Sequence, residues 1–153
     1  NTILIMTSNI GASYLLDGIR EDGTIEENAQ NMVMADLRNH FRPEFLNRLD
    51  EIIMFKPLTK DNIYAIIDLL IQDLNARLED RQISIRLTEE AKQLVADGGY
   101  EPMYGARPLK RYLQKNVETL AARLILEGNV GTGDIIVLDV KDGHLEAHSE
   151  HEA

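Results

Sequence analysis

The chain has 153 residues, 44% of them hydrophobic and 27% charged, with a net charge of −10 at pH 7 and no cysteine. That length suits one domain, or one domain plus part of another, and the composition is that of a protein able to bury a core. The acidic balance argues against nucleic acid or an anionic membrane as main partner; the missing thiols exclude disulfides and thiolate metal sites, and no apolar stretch approaches the roughly 20 residues of a membrane span.

The first element is Thr2-Ile3-Leu4-Ile5-Met6-Thr7, a continuous apolar run that predicts a strand buried on both faces, as in a parallel sheet. Such a strand needs neighbours. The only other candidate nearby is Ile52 to Phe55, so the chain, which opens without Met, reads as cut from something larger. Between them, Thr24-Ile25-Glu26-Glu27 has the form of a capping box, and Ile25, Ala29, Met32, Val33 and Leu37 follow at helical spacing. This helix should end near Arg42, because Pro43 biases the residue before it out of the α region. Pro43 in turn suits the first position of a short helix, with Arg48 in its last turn. Strand, crossover helix, short helix and strand make an α/β unit.

Lys56-Pro57-Leu58-Thr59 marks a boundary. Thr59 is placed to cap a long helix with Ile63, Ile66, Ile67, Leu70, Leu74 and Leu78 on one face. Ile83 to Leu87 alternates as a short strand, and Thr88 starts a helix that stops at Gly98-Gly99. Pro108 starts a third helix, with Leu109, Tyr112, Leu113, Val117, Leu120 and Leu124 inward, which Gly131-Thr132-Gly133 breaks off. Ile135, Val137 and Val140 then belong to a strand that turns at Asp142-Gly143 into a second, Leu145 to His148. From about residue 57 the pattern is a mainly helical α+β domain with a β-hairpin.

Three places invite chemistry. Asn9 follows the first apolar run, at the strand end where open α/β sheets place ligands. It can orient water or a phosphate oxygen, or serve as a turn residue capping the next backbone N–H. Arg48 lies within "FRPEFLNRLDE", residues 41 to 51, among apolar neighbours. It is either a helix C-terminal cation helped by Asp50 and Glu51, or a charge aimed at an external anion. In Gly105-Ala106-Arg107-Pro108 a cation stands at a helix start, the positive end of the dipole. An anion there would be held by Arg107 and the helix terminus together; otherwise the side chain snorkels to solvent or pairs with Glu101.

Taken in order, Asn9, "FRPEFLNRLDE" and "YGARPLKR" resemble the second ATPase module of the AAA+ chaperones of the Clp/Hsp100 class, from Asn1 to about Leu138. The resemblance makes residues 1–56 the C-terminal portion of an AAA+ large α/β subdomain and residues 57–153 a C-terminal small domain. It implies that Asn9 is the sensor-1 asparagine and Arg48 an arginine finger acting in trans on ATP held by the next subunit of a hexameric ring. Arg107 matches the sensor-2 arginine, with Gly105 and Ala106 beside it at the nucleotide. ATP and Mg²⁺ are the cofactors implied for the longer protein, and no resident metal.

The chain departs from the full family pattern. It contains no G-x-x-x-x-G-K-[ST]; Gly128-Asn129-Val130-Gly131-Thr132-Gly133 lacks the lysine and precedes a strand. The acidic pair that holds Mg²⁺ is also missing, so this stretch is expected neither to bind nucleotide by itself nor to hydrolyse ATP. Family members that feed a peptidase resemble one another in an apolar-Gly-apolar docking loop. Here Gly11, Gly18 and Gly23 lack the bulky Ile/Val-Gly-Phe/Leu form, which points to a ClpB-type disaggregase. The expected partners are identical subunits and unfolded or aggregated proteins, and the reading admits a DnaK-type chaperone system. A cytoplasmic location follows from the family and suits the absence of cysteine. The same region of a ClpC/ClpA-like unfoldase, or a non-enzymatic module sharing the small-domain fold, are the alternatives. His144, His148 and His151 fall in what reads as a solvated tail rather than a metal site.

Overall fold

The computed structural model describes residues 2–20, 24–101 and 104–151. The chain divides into two compact units, residues 1–57 and 58–153.

The first unit is built on two helices and a short third, α1 (Ala12–Asp17), α2 (Glu27–His40) and α3 (Pro43–Leu46). Its glycines set how closely α1 approaches α2. A Cβ at Gly18 would lie 2.3 Å from the Ala29 Cβ, and one at Gly11 would meet both Val33 methyls at 3.0 Å. Gly11 also takes φ +74, a left-handed conformation natural to glycine, as it turns the chain into α1. Ala29 and Val33 are the residues that α2 buries. This first helix has a recognisable signal only in hindsight, an apolar Ala-Ser-Tyr-Leu-Leu run bracketed by Gly11 and Gly18.

The start of α2 departs from expectation. Its N-cap is Glu26, without a side-chain cap bond, rather than Thr24. Residues 19 and 25 form an antiparallel bridge, and Arg20 N–H donates to Thr24 C=O at 2.9 Å. The extended bridge therefore occupies the place of the expected first turn. The end agrees with the sequence: Phe41 is already extended at φ −114°, two residues before Pro43.

Neither Thr2–Thr7 nor Ile52–Phe55 forms a strand. Both runs lie exposed, Ile3 at 90% and Phe55 at 83%. A strand of this kind exists only between neighbours that accept its backbone bonds and cover both faces, and the described residues of the first unit supply none.

The second unit follows the sequence closely. Helix α4 (Lys60–Leu78) opens with a complete capping box: Thr59 Oγ1 accepts from Asn62 N–H at 3.3 Å, while Asn62 Oδ1 accepts from Thr59 N–H at 3.1 Å. A 3₁₀ turn (Glu79–Arg81) and left-handed Gln82 lead into β1 (Ser84–Leu87). Thr88 caps α5 (Glu89–Gly99) by accepting from Ala91 N–H at 3.2 Å. The third predicted helix is a composite: α6 (Arg107–Leu113), a π-helical turn over Gln114–Glu118, and α7 (Thr119–Leu126). It ends at left-handed Gly128, earlier than the Gly131–Gly133 stop read from the sequence. Strands β2 (Asp134–Lys141) and β3 (His144–His151) form the hairpin, with Asp142 at φ 51° and Gly143 at φ 77° as in a type I′ turn.

Sheet order is β1-β2-β3, with β1 parallel to β2 (Ile85 opposite Ile136) and β2 antiparallel to β3. The second hairpin strand runs beyond the expected Leu145–His148, so His144, His148 and His151 lie in a paired strand rather than in the solvated tail expected for them; β2 offers a full eight-residue ladder. The sheet packs against α4, α5 and α7, and α6 joins them through α5, in a core where Ile67, Val95, Leu109, Val117, Ile136 and Leu138 are fully buried. Burial on that scale stabilises by about 1.5–3 kcal/mol per large side chain. Asn75 of α4 seals the outer edge of β1: its amide accepts from Ile85 N–H at 2.7 Å and donates to Ile85 C=O at 3.0 Å.

Two carboxylates pin the sheet ends. Hydrogen bonds from His151 (2.6 Å) and the Gly131 N–H (2.6 Å) hold the Asp134 carboxyl below its usual range. The Val140 N–H and the Thr88 hydroxyl, at 2.8 and 2.9 Å, do the same for Asp139. No helix among the described residues is long and apolar enough to cross a membrane.

Candidate functional site

Asn9 stands just ahead of α1, exposed, at the end of residues 2–9, which form no helix or strand. Its carbonyl accepts from Ala12 N–H at 3.2 Å, which fixes the backbone as it enters the helix. The turn-capping role weighed for the Asn9 side chain falls to its neighbour, because Ser8 Oγ accepts from Ile10 N–H at 3.2 Å. The Asn9 amide has no hydrogen-bond partner among the described residues. Docking of Gly11 on Val33 ties this position to α2.

Arg48 comes two residues after α3 rather than in its last turn, its N–H donating to Phe45 C=O at 3.1 Å. Asn47 N–H reaches Pro43 C=O at 2.9 Å, and the Phe41 and Phe45 rings stack at 5.1 Å. A short helix begun by Pro43 and braced by this aromatic pair thus holds the backbone under the arginine. The side chain is exposed, and among the described residues neither Asp50 nor Glu51 forms an ion pair with it. A four-residue helix also gives a C-terminal cation little dipole to work with.

Gly105, Ala106 and Arg107 lead into α6. Gly105 N–H donates to Glu101 C=O at 2.6 Å and takes φ +62, a left-handed turn suited to glycine. Ala106 is the N-cap and Arg107 the first helical residue, with Pro108 behind it and no acidic residue in the first turn. Leu109, wholly buried, anchors this start against α5, where its Cα would lie 3.0 Å from a Cβ at Gly99. The Arg107 side chain is exposed, and the pairing with Glu101 does not form; among the described residues it has no carboxylate partner.

Two cations and one amide are therefore held on braced backbone with their polar ends free of partners among the described residues. Asn9 and Arg48 lie in the first unit, and Gly105, Ala106 and Arg107 in the second. These groups suit phosphate oxygens: arginine offers a fixed fork of donors, and an amide one further donor or acceptor. They do not suit a resident metal. Among the described residues no three His, Asp or Glu side chains gather as a metal site.

Comparison with known proteins bears on the whole chain. Residues 58–138 match the family model of the C-terminal, D2-small domain of ClpB protein, and residues 1–52 match an AAA domain of the Cdc48 subfamily. The chaperone protein ClpB of Bacillus anthracis is 53% identical over 148 residues, 97% of this chain and 17% of that protein. ClpB of Nitratidesulfovibrio vulgaris is 49% identical over 150 residues, covering 98% of this chain and 17% of its own length. The chain thus spans about one-sixth of these relatives. Among solved structures, the S. cerevisiae Hsp104:casein complex in its extended conformation aligns with a TM-score of 0.75 at 35% identity, over 95% of this chain and 26% of that one. The S. cerevisiae Hsp104-ADP complex aligns at 0.79 and 33%, over 92% and 25%. The Clp/Hsp100 resemblance and the helical α+β fold with its hairpin both hold. With more than half of its residues matched by the small-domain family, the chain belongs to the ClpB family, as a D2-small domain preceded by AAA-domain sequence.

Proposed function

We propose that this chain is the sensor- and finger-bearing part of an ATP-dependent, ClpB-type disaggregase. Residues 1–56 act as the C-terminal portion of the large subdomain and residues 57–153 as the small domain. The carrying observation is a pair of arginines, Arg48 and Arg107, each on a braced backbone and each without a carboxylate partner among the described residues. A cation left without an internal counter-charge is available to an external one. Arg48 serves as the finger, reaching ATP in the neighbouring subunit of a cytoplasmic hexamer. Arg107 serves as sensor 2 in its own subunit, on a turn set by Gly105 and Ala106, and Asn9 serves as sensor 1.

ATP supplies the phosphoryl bond whose cleavage drives such a ring. This chain contributes donors to that chemistry and neither the phosphate cradle nor Mg²⁺ ligands: no G-x-x-x-x-G-K-[ST] occurs in it. The relatives are named chaperones, and one aligned structure is a complex with casein. That supports a protein substrate, here read as unfolded or aggregated; a DnaK-type chaperone system as co-worker is part of the proposal alone.

The test uses the full-length parent, mixed with a heat-aggregated reporter enzyme, ATP and a DnaK-type system. Reporter activity should return in an ATP-dependent manner and fall when Arg48 is replaced by Ala. A parent that restores no activity yet delivers the reporter to a peptidase for degradation would overturn the assignment in favour of a protease-feeding unfoldase.

A further inference from the structure

The three-stranded sheet treats its two edges differently. On β1 the outward N–H and C=O of Ile85 are both taken by Asn75. On β3 no such guard exists among the described residues. Lys141 and His144 face each other across the two-residue turn, and a closing pair of this type exchanges both backbone bonds. Alternation then directs Glu146, His148 and Glu150 backbone groups to β2, and those of Leu145, Ala147, Ser149 and His151 away from the sheet. None of these outward groups has a backbone partner among the described residues. An open edge of this length is a template for another strand.

We propose that β3 pairs antiparallel with β3 of a second copy of this chain, about a two-fold axis at Ala147. Outward backbone must meet outward backbone, so odd-numbered residues face odd and even face even. Centred on Ala147, this register sets Leu145 opposite Ser149. On the outer face it sets His144 opposite Glu150 and Glu146 opposite His148, each twice by symmetry. Centring on His148 would oppose Glu146 to Glu150; centring on Glu146 would oppose two glutamates and two pairs of histidines. More distant shifts shorten the ladder. Unlike charges directly opposite stabilise a strand pair and like charges destabilise it, so the sequence itself selects the Ala147 register.

The other charged groups on this face are accounted for. Arg86 lies 2.9 Å from Glu150, Lys141 3.4 Å from Glu146, and His148 Nε2 3.3 Å from Glu150. Asp139, opposite Glu146 in β2, is held by Thr88 and the Val140 N–H, while His151 is engaged by Asp134. Each glutamate keeps acceptor positions for a partner across the new interface. Histidine gains its charge between pH 8 and pH 5, so the association strengthens on mild acidification.

Sedimentation equilibrium of the 153-residue chain tests this, with the monomer–dimer constant read at pH 6 and pH 8. Dimerisation should be about fivefold tighter or more at the lower pH, from four cross-strand pairs. Ala147→Pro removes an outward N–H that β2 does not use, and should weaken the dimer about tenfold or more. The second arm needs no proline. One variant carries Glu146→Lys and Glu150→Lys, another His144→Glu and His148→Glu. Each should stay monomeric alone, and the two should form a heterodimer when mixed. A dimer indifferent to Ala147→Pro, or a mixture no more associated than its components, overturns the proposal, as does a monomer at every concentration and pH.

Discussion

At Arg107 the chain passes from a left-handed glycine through Ala106 into a helix whose first turn carries no carboxylate. Removing the cation should therefore cost the fold little and the ligand much. In the full-length parent, Arg107→Ala should raise the nucleotide dissociation constant about tenfold or more, the scale of one lost hydrogen bond to a charged group. Calorimetry on subunits unable to hydrolyse ATP measures it; unchanged affinity and turnover would return Arg107 to a solvent-facing side chain. Asp134 is a different case. Its carboxyl is held low by His151 and the Gly131 N–H, so its contribution is present above the unfolded value of about 3.9. It is lost as pH falls through the folded value. Thermal melts of Asp134→Asn should thus lie below wild type at pH 7 and converge with it below about pH 4; a constant offset would contradict that. These two residues also differ in legibility. The oddity of Arg107 is visible in the sequence, because helix polarity is a local property. The Asp134–His151 pair closes the open end of the hairpin ladder between residues far apart in sequence, and only the register reveals it.

Among the elements, those with complete local signals formed where the sequence placed them. Thr59 and Asn62 make a reciprocal cap, Thr88 caps α5, and Asp142-Gly143 makes the hairpin turn. Thr24-Ile25-Glu26-Glu27 has the same letters as a cap, yet the bridge between Ile19 and Ile25 claims that segment. The π turn at Gln114–Glu118 was not legible, because one extra residue in a helical turn leaves the apolar spacing nearly intact. The edge seal by Asn75 was equally hidden, since an asparagine inside a helix carries no mark of what it faces. Asn75→Ala should lower stability by about 1–3 kcal/mol, because both Ile85 backbone groups lose their partner. Denaturant unfolding of the chain measures this. A loss below about 0.5 kcal/mol, the scale of an ordinary surface substitution, would mean water replaces the amide.

At the scale of the whole molecule, the two units differ in what they lack. The second closes its own core around Ile67, Leu109 and Ile136. The first presents Thr2–Thr7 and Ile52–Phe55, apolar sequences of buried-strand type, to solvent. Sequence pattern alone could not say they would stay unpaired, because pairing depends on backbone that these residues do not provide. Residues 1–52 match an AAA domain, and the proposed finger, Arg48, sits within that span, two residues after the short helix started by Pro43. Whether Arg48 acts on a neighbour's nucleotide is read by mixing subunits of the full-length parent. Arg48→Ala subunits should bind nucleotide yet turn over poorly; trans-acting arginines are worth roughly 10³–10⁵ in turnover in the GTPase systems, and a smaller loss is expected in a ring that keeps its other groups. When these are mixed with subunits whose P-loop lysine is replaced, some intact sites face an intact arginine, and hydrolysis should partly return. If mixed hexamers form and no ratio restores hydrolysis, Arg48 is a structural cation of its own subunit and not a finger.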